Sequence, residues 1–246
     1  MGSDGATAVK TLESLSVKIF ADGADLPRMA ELASHPLVKG FTTNPTMMRA
    51  AGVHDYESFA RRVLETVGGR PVSFEVFSDE IGEMHRQARK IAAWGSNVYV
   101  KIPITNTRGE GTEDLVRRLT GEGIKLNLTA LMTLPQVASA QQALGDSIPA
   151  YISIFAGRIA DTGVDPVPMV REAVAMLAGQ PNIELIWASP RELLNIFHAD
   201  SAGCHIITAT PELLQKMALV GKNLDEFSLD TVKMFHRDAA AAGLAL

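Results

Sequence analysis

Lys101 sits at the centre of the stretch "NVYVKIPITN", flanked by Val98, Tyr99, Val100, Ile102, Pro103 and Ile104. Such neighbours favour a strand buried on both faces, which is a poor place for an ammonium group. An inner strand gives the side chain little route along which to snorkel to water. Burial disfavours the charged amine. A neutral amine attacks carbonyl carbon, so the chemistry on offer is Schiff-base formation. Glu75, in the preceding apolar run, reads either as an ion-pair partner of Lys101 or as the group that moves protons while a carbinolamine dehydrates.

Further polar residues recur at the same place in other apolar runs. Asp22, Asn44, Glu75, Lys101, Asn127 with Thr129, Ser153, Ser189, and Thr208 with Thr210 each lie late in, or just within, such a run. The opposite ends of the runs carry no comparable set. Taken singly, most have a plain reading: Asp22 as a turn or cap residue, "TNP" as a turn starter, Ser189 as a helix N-cap. A ring of them at one level reads as a site. Arg158 follows "SIFAG" and Arg191 follows "ASP"; with Ser189 they suggest a seat for a phosphate tail. The six histidines lack metal-ligand spacing, so no metal is expected. "RGEG" (108–111) and "GKN" (221–223) lack the context of nucleotide-binding loops.

The elements that must position these residues follow from the pattern. Eight strand-like runs stand at Val17–Asp22, Gly40–Asn44, Val72–Phe77, Val98–Ile102, Lys125–Leu131, Ala150–Phe155, Ile183–Ser189 and His205–Thr210. Helical patterns lie between them, as at Ser58–Val67, Glu80–Trp94, Glu113–Gly121, Pro135–Leu144, Pro168–Ala178, Glu192–His198 and Pro211–Leu219. "SPRE" predicts Ser189 as N-cap, Pro190 at the first helical position and Glu192 in a capping box; "TPE" at 210–212 repeats the cap-plus-proline arrangement. Eight β/α units in 246 residues predict an α/β fold, one (β/α)8 TIM barrel over residues 1–246. Residues 1–11 are expected to form a flexible extension, and Phe227–Ala242 an extra C-terminal helix. The chemistry of such a barrel sits at the C-terminal ends of its strands, where the polar ring lies.

Composition narrows the partners. Net charge is −5, and Lys and Arg are scattered, which predicts neither nucleic-acid nor membrane binding. A single cysteine, Cys204, cannot form an intramolecular disulfide and suits a reducing compartment. No signal core or membrane span is evident, so a soluble cytoplasmic protein is expected.

As a set, these residues resemble the transaldolase family of Schiff-base sugar-phosphate enzymes. The matching motifs are "FAD" (20–22), "TTNPT" (42–46), "FEV" (74–76), "VKIP" (100–103), "NLTA" (127–130), "SIFAGRI" (153–159) and "ASPR" (188–191), in family order across nearly the whole chain. The resemblance implies Lys101 as the Schiff-base lysine and Asp22 as the acid/base at the C4 hydroxyl. It implies Glu75 and Thr129 as the pair that positions a catalytic water. Asn44, Asn127 and Ser153 would hold dihydroxyacetone hydroxyls, with Thr43 and Phe155 beside the substrate. Arg158, Ser189 and Arg191 would take the phosphate. Donors and acceptors would be small sugar phosphates, with no cofactor, and short members of the family imply a homo-oligomer.

Related fructose 6-phosphate aldolases typically carry glutamine where Glu75 stands and tyrosine where Phe155 stands, so both positions, and Asn127, favour transfer over release of dihydroxyacetone. The lyase activity is the alternative. Departures from the family pattern at Gly23, Ile154, Pro190 and Glu192 leave open a non-standard anionic sugar, with a sulfonate as one such tail.

Overall fold

Eight parallel strands close into a barrel in sequence order: β1 (Lys18–Asp22), β2 (Val38–Thr42), β3 (Val72–Glu75), β4 (Val98–Pro103), β5 (Leu126–Leu131), β6 (Ala150–Ile154), β7 (Ile183–Trp187) and β8 (Ile206–Ala209), with β8 pairing back onto β1. This computed structural model describes residues 11–243. Apart from Thr11, the extension expected over residues 1–11 lies outside them. Every predicted strand is present, shifted by at most two residues at either end.

Alternation along each strand divides its side chains between two cores. On β4, Val98, Val100 and Ile102 join the large apolar layer between strands and helices, while Tyr99 belongs to a small cluster inside the barrel with Phe20, Tyr151, Ile186 and Ile206. Helices Leu26–Ala33, Tyr56–Thr66, Ile81–Ala92, Glu113–Gly121, Leu134–Leu144, Pro166–Leu177, Leu194–Ser201 and Pro211–Gln215 follow the strands. Four of these eight start on a short polar side chain that takes up free backbone N–H groups. Asp25 accepts from Arg28 N, Asp55 from Ser58 N and Asp165 from Val167 N. Thr133 and Gln136 form a reciprocal capping box. Two short helices, Pro45–Ala50 and Ala156–Ala160, occupy the loops after β2 and β6, where no separate helix is predicted.

The N-terminal half of the barrel is plugged by aromatic rings. Tyr99 and Tyr151 stack with centroids 4.0 Å apart, and Phe20 meets Tyr151 edge-on at 5.9 Å. Gly40 makes room for Phe20: a Cβ there would lie 2.5 Å from the ring. Outside the plug, Lys18 and Glu184 form a rim ion pair at 2.7 Å. This mouth is thus polar at its edge, which the strand-end reading does not bring out.

One cap is corrected. Ser189 is not an N-cap, and Glu192 does not begin a helix; the helix starts at Leu194, after Leu193. An N-cap needs extended backbone, whereas Ser189 has φ +62°. Asn195 reaches back instead and accepts from Arg191 N and Glu192 N, at 2.8 and 3.2 Å. At "TPE" the helix does begin with Pro211 after Thr210, but the Thr210 side chain makes no capping bond. The C-terminal helix spans Leu224–Ala241, and none of its side chains is buried; Leu224, Phe227, Leu229, Val232 and Phe235 are exposed. Among the described residues no helix is long and apolar enough to cross a membrane.

Candidate active site

The β3–β5 register sets Glu75, Lys101 and Asn127 side by side, one from each strand, on the inner wall. Lys101 is buried, with only 8% of its side chain exposed. Its Nζ donates to the Thr43 carbonyl at 3.0 Å and lies 3.2 Å from Glu75 Oε2. These two contacts point the amine up into a cavity of about 500 Å³ at the C-terminal mouth.

Across that cavity stands Asp22, at the end of β1. The Thr42 hydroxyl donates to Asp22 Oδ1 at 2.8 Å and shares a 2.5 Å hydrogen bond with Thr208. Burial of the carboxyl raises its pKa above the ordinary value, and nearby Glu75 adds to this. The Lys101 charge and the Thr42 hydrogen bond pull the other way but are outweighed. The result is a carboxylate more basic than usual facing the amine.

Beside Lys101 runs a chain of buried polar groups. Ser153 Oγ donates to Asn127 Oδ1 at 2.8 Å, and Asn127 Nδ2 donates to Ser73 Oγ at 2.9 Å. Each amide end of Asn127 is thereby assigned a direction; Asn127 is fully buried and is not part of the cavity wall, whereas Ser153 is. Ser73 escapes a sequence reading because one serine in a strand carries no signal. Thr129 Oγ1, by contrast, is buried with no hydrogen-bond partner among the described residues. It lines the cavity beside Ala130, whose φ is +65°. The β5–β6 register shifts between Leu128 and Leu131 around this point, as bulges beside active sites do.

The remaining predicted residues divide into two groups. Asn44 Oδ1 caps the helix Pro45–Ala50, accepting from Met47 N at 3.0 Å, and its residue lines the cavity. Thr43 does not line the cavity; its hydroxyl donates to the Ser73 carbonyl, and only its own carbonyl reaches the site through Lys101. At the far end, Phe155, Arg158, Ser189 and Arg191 line the wall together. The Arg158 guanidinium carbon lies 5.7 Å from the centre of the Phe155 ring. Arg191 Nη1 donates to Ser189 Oγ at 3.2 Å, while Nε donates to Asp161 Oδ1 at 2.9 Å. Gly157 is needed here because a Cβ would fall 1.5 Å from the Ser189 carbonyl oxygen. Among the described residues no group of three or more His, Cys, Asp or Glu side chains is arranged to hold a metal ion.

A model of the transaldolase/fructose-6-phosphate aldolase family matches residues 19–246. The chain belongs to this family. Relatives within reach by sequence include a probable transaldolase 2 of Listeria monocytogenes, 35% identical over 218 residues, covering 87% of this chain and 95% of the relative. A probable transaldolase of Dehalococcoides mccartyi is 32% identical over 202 residues, covering 82% and 90%. Among solved structures, a 2,3-dimethylmalate lyase of the PEP mutase/isocitrate lyase superfamily superposes with a TM-score of 0.54 at 15% identity, covering 95% of this chain and 86% of that one. That likeness carries the barrel fold alone.

Proposed function

We propose that the protein is a transaldolase that moves a dihydroxyacetone unit from a ketose phosphate to an aldose acceptor through a Schiff base on Lys101. The observation that carries this reading is the buried Lys101 amine, 3.2 Å from Glu75 and facing the same cavity as Asp22. The amine passes a proton to Glu75 and adds to the C2 carbonyl of the donor. The carbinolamine then loses water, with Glu75 and the free hydroxyl of Thr129 holding the water that relays protons. The protonated imine is an electron sink. Asp22, made more basic by burial, takes the C4 hydroxyl proton. The C3–C4 bond breaks, an aldose phosphate leaves, and the electron pair stays as the enamine.

Ser153, with Asn127 hydrogen-bonded behind it, holds the hydroxyls of the retained three carbons, with Asn44 at the mouth. The enamine then adds to the acceptor aldehyde, Asp22 returns its proton, and hydrolysis frees the amine. Arg158, Ser189 and Arg191 seat the phosphate, which fixes the distance from tail to carbonyl. The exposed apolar residues on the helix Leu224–Ala241 support a homo-oligomer, to be read by light scattering. We place the enzyme in the cytoplasm, a location to which its single, buried cysteine is suited.

Borohydride trapping with fructose 6-phosphate, followed by peptide mass mapping, tests the proposal. The expected result is one reduced adduct, on Lys101, absent from Lys101→Met. An adduct on another lysine, or none, overturns the mechanism. Rapid release of dihydroxyacetone without an acceptor aldehyde would make the protein a lyase of the fructose 6-phosphate aldolase type instead.

A further inference from the structure

The anion end contains a carboxylate that an anion-binding site does not obviously want. Asp161 closes the short helix Ala156–Ala160, its backbone N–H donating to the Gly157 carbonyl at 3.0 Å. Its carboxylate takes the Nε hydrogen of Arg191 on Oδ1 and one Nη2 hydrogen on Oδ2. This is the side-on, two-point geometry that fixes the plane of a guanidinium. Nη1 and the second Nη2–H are left over, and Nη1 meets Ser189 Oγ at 3.2 Å. Asp161 itself is not part of the cavity wall, whereas Arg158, Ser189 and Arg191 are. Arg158 has no carboxylate within ion-pair distance among the described residues, though its charge and that of Asp161 are felt by each other, and its guanidinium lies against Phe155.

We propose that Asp161 is the positioning residue of the tail site: it clamps Arg191 edge-on, so that Nη1 and the Ser189 hydroxyl face the substrate and two-point binding falls to Arg158. The inference rests on the reading of this wall as the seat of the anionic tail. It assigns a division of labour that recognises a tetrahedral oxyanion ester, with two oxygens on Arg158 and a third between Arg191 Nη1 and Ser189. The backbone supports the same geometry. Gly157 lets the Ser189 carbonyl approach to where a Cβ would clash, and Ser189 is held at φ +62°. The clamp, the serine and Arg158 are therefore built on two segments locked to each other.

Two physical effects of Asp161 have opposite signs, which makes the proposal decidable. As a nearby negative charge it repels a phosphate. As a clamp it spares the ordering of a long flexible side chain on binding. If clamping dominates, Asp161→Asn raises KM for fructose 6-phosphate about tenfold, the scale of one charge-assisted hydrogen bond. In that case kcat stays within about twofold, because the amine and Asp22 are untouched. With unphosphorylated fructose as donor, kcat/KM does not change, and Asp161→Glu recovers part of the lost affinity for the phosphate ester. An unchanged or lowered KM for fructose 6-phosphate in Asp161→Asn overturns the proposal, as does an equal loss with both donors. Arg158→Gln serves as the control on the underlying reading. If it leaves the preference for the phosphorylated donor intact, the tail does not bind here and the role of Asp161 falls with that reading; borohydride trapping on Lys101 would still stand.

Discussion

The two mouths of the barrel are made from the same eight strands with the same alternation of facing, and they handle polarity in opposite ways. At the N-terminal mouth the inward positions carry Phe20, Tyr99, Tyr151, Ile186 and Ile206, and the charges sit on the rim, where Lys18 and Glu184 pair in reach of water. At the C-terminal mouth the inward positions carry Asp22, Glu75, Lys101, Asn127, Thr129 and Ser153. Here the charges are sunk, the Thr129 hydroxyl has no partner among the described residues, and Ala130 and Ser189 hold left-handed backbone. Unpaired buried hydroxyls and left-handed residues each cost of the order of 1–3 kcal/mol. Inside the barrel, then, the C-terminal end carries the strained and unpaired groups, and the N-terminal end is filled by packed rings.

Replacing Asp22 by Asn probes the costly end most severely. It removes the group to which the proposed mechanism gives the acid/base role, and on that mechanism turnover should fall about 10²–10⁴-fold. Stability should move the other way. The folded-state pKa of Asp22 lies above its ordinary value near 3.8. Ionising this carboxyl therefore destabilises the fold as pH rises through the raised value. At pH 7 the Asn variant should melt at a higher temperature than the parent, and below the ordinary carboxylate range the difference should vanish. A variant that melts lower at pH 7 would break the contrast between the two mouths. At the plugged end, Tyr151→Ala should cost about 3–5 kcal/mol in urea unfolding through loss of the stacked ring. The kcat of the folded fraction should change little; a loss of turnover without a loss of stability would show that the plug is part of the catalytic apparatus. The smallest effect belongs to the rim. Lys18→Met breaks an ion pair whose lysine is half exposed, and it should shift stability by less than about 1 kcal/mol, less still at high salt.

The strands were legible because two-sided burial writes itself into continuous β-branched runs, and Lys101 because it interrupts one. Asp22, Glu75 and Thr129 could be placed at one level once the barrel was inferred. Ser189 was misread because capping rules are local, while its backbone is set by Gly157, far away in sequence and in van der Waals contact in space. Asp161 was invisible for a similar reason. An aspartate after a helix means little until the fold brings Arg191 to it from thirty residues further on. Likewise the family resemblance implies Thr43 as a residue beside the substrate, yet its side chain turns to Ser73 and its carbonyl accepts from the lysine. The tyrosine stack gave no sign either, since each ring alone looks like ordinary strand content.

The aromatic plug also bears on the order of events. Phe20 over Gly40, with Tyr151 and Tyr99 beside it, closes the barrel beneath Lys101. Traffic to the amine therefore uses one doorway. For a transfer in which the leaving aldose and the incoming aldehyde use the same tail seat, the first product must depart before the second substrate enters. Such an enzyme works in a double-displacement sequence, and its reciprocal plots against one substrate, at fixed levels of the other, run parallel.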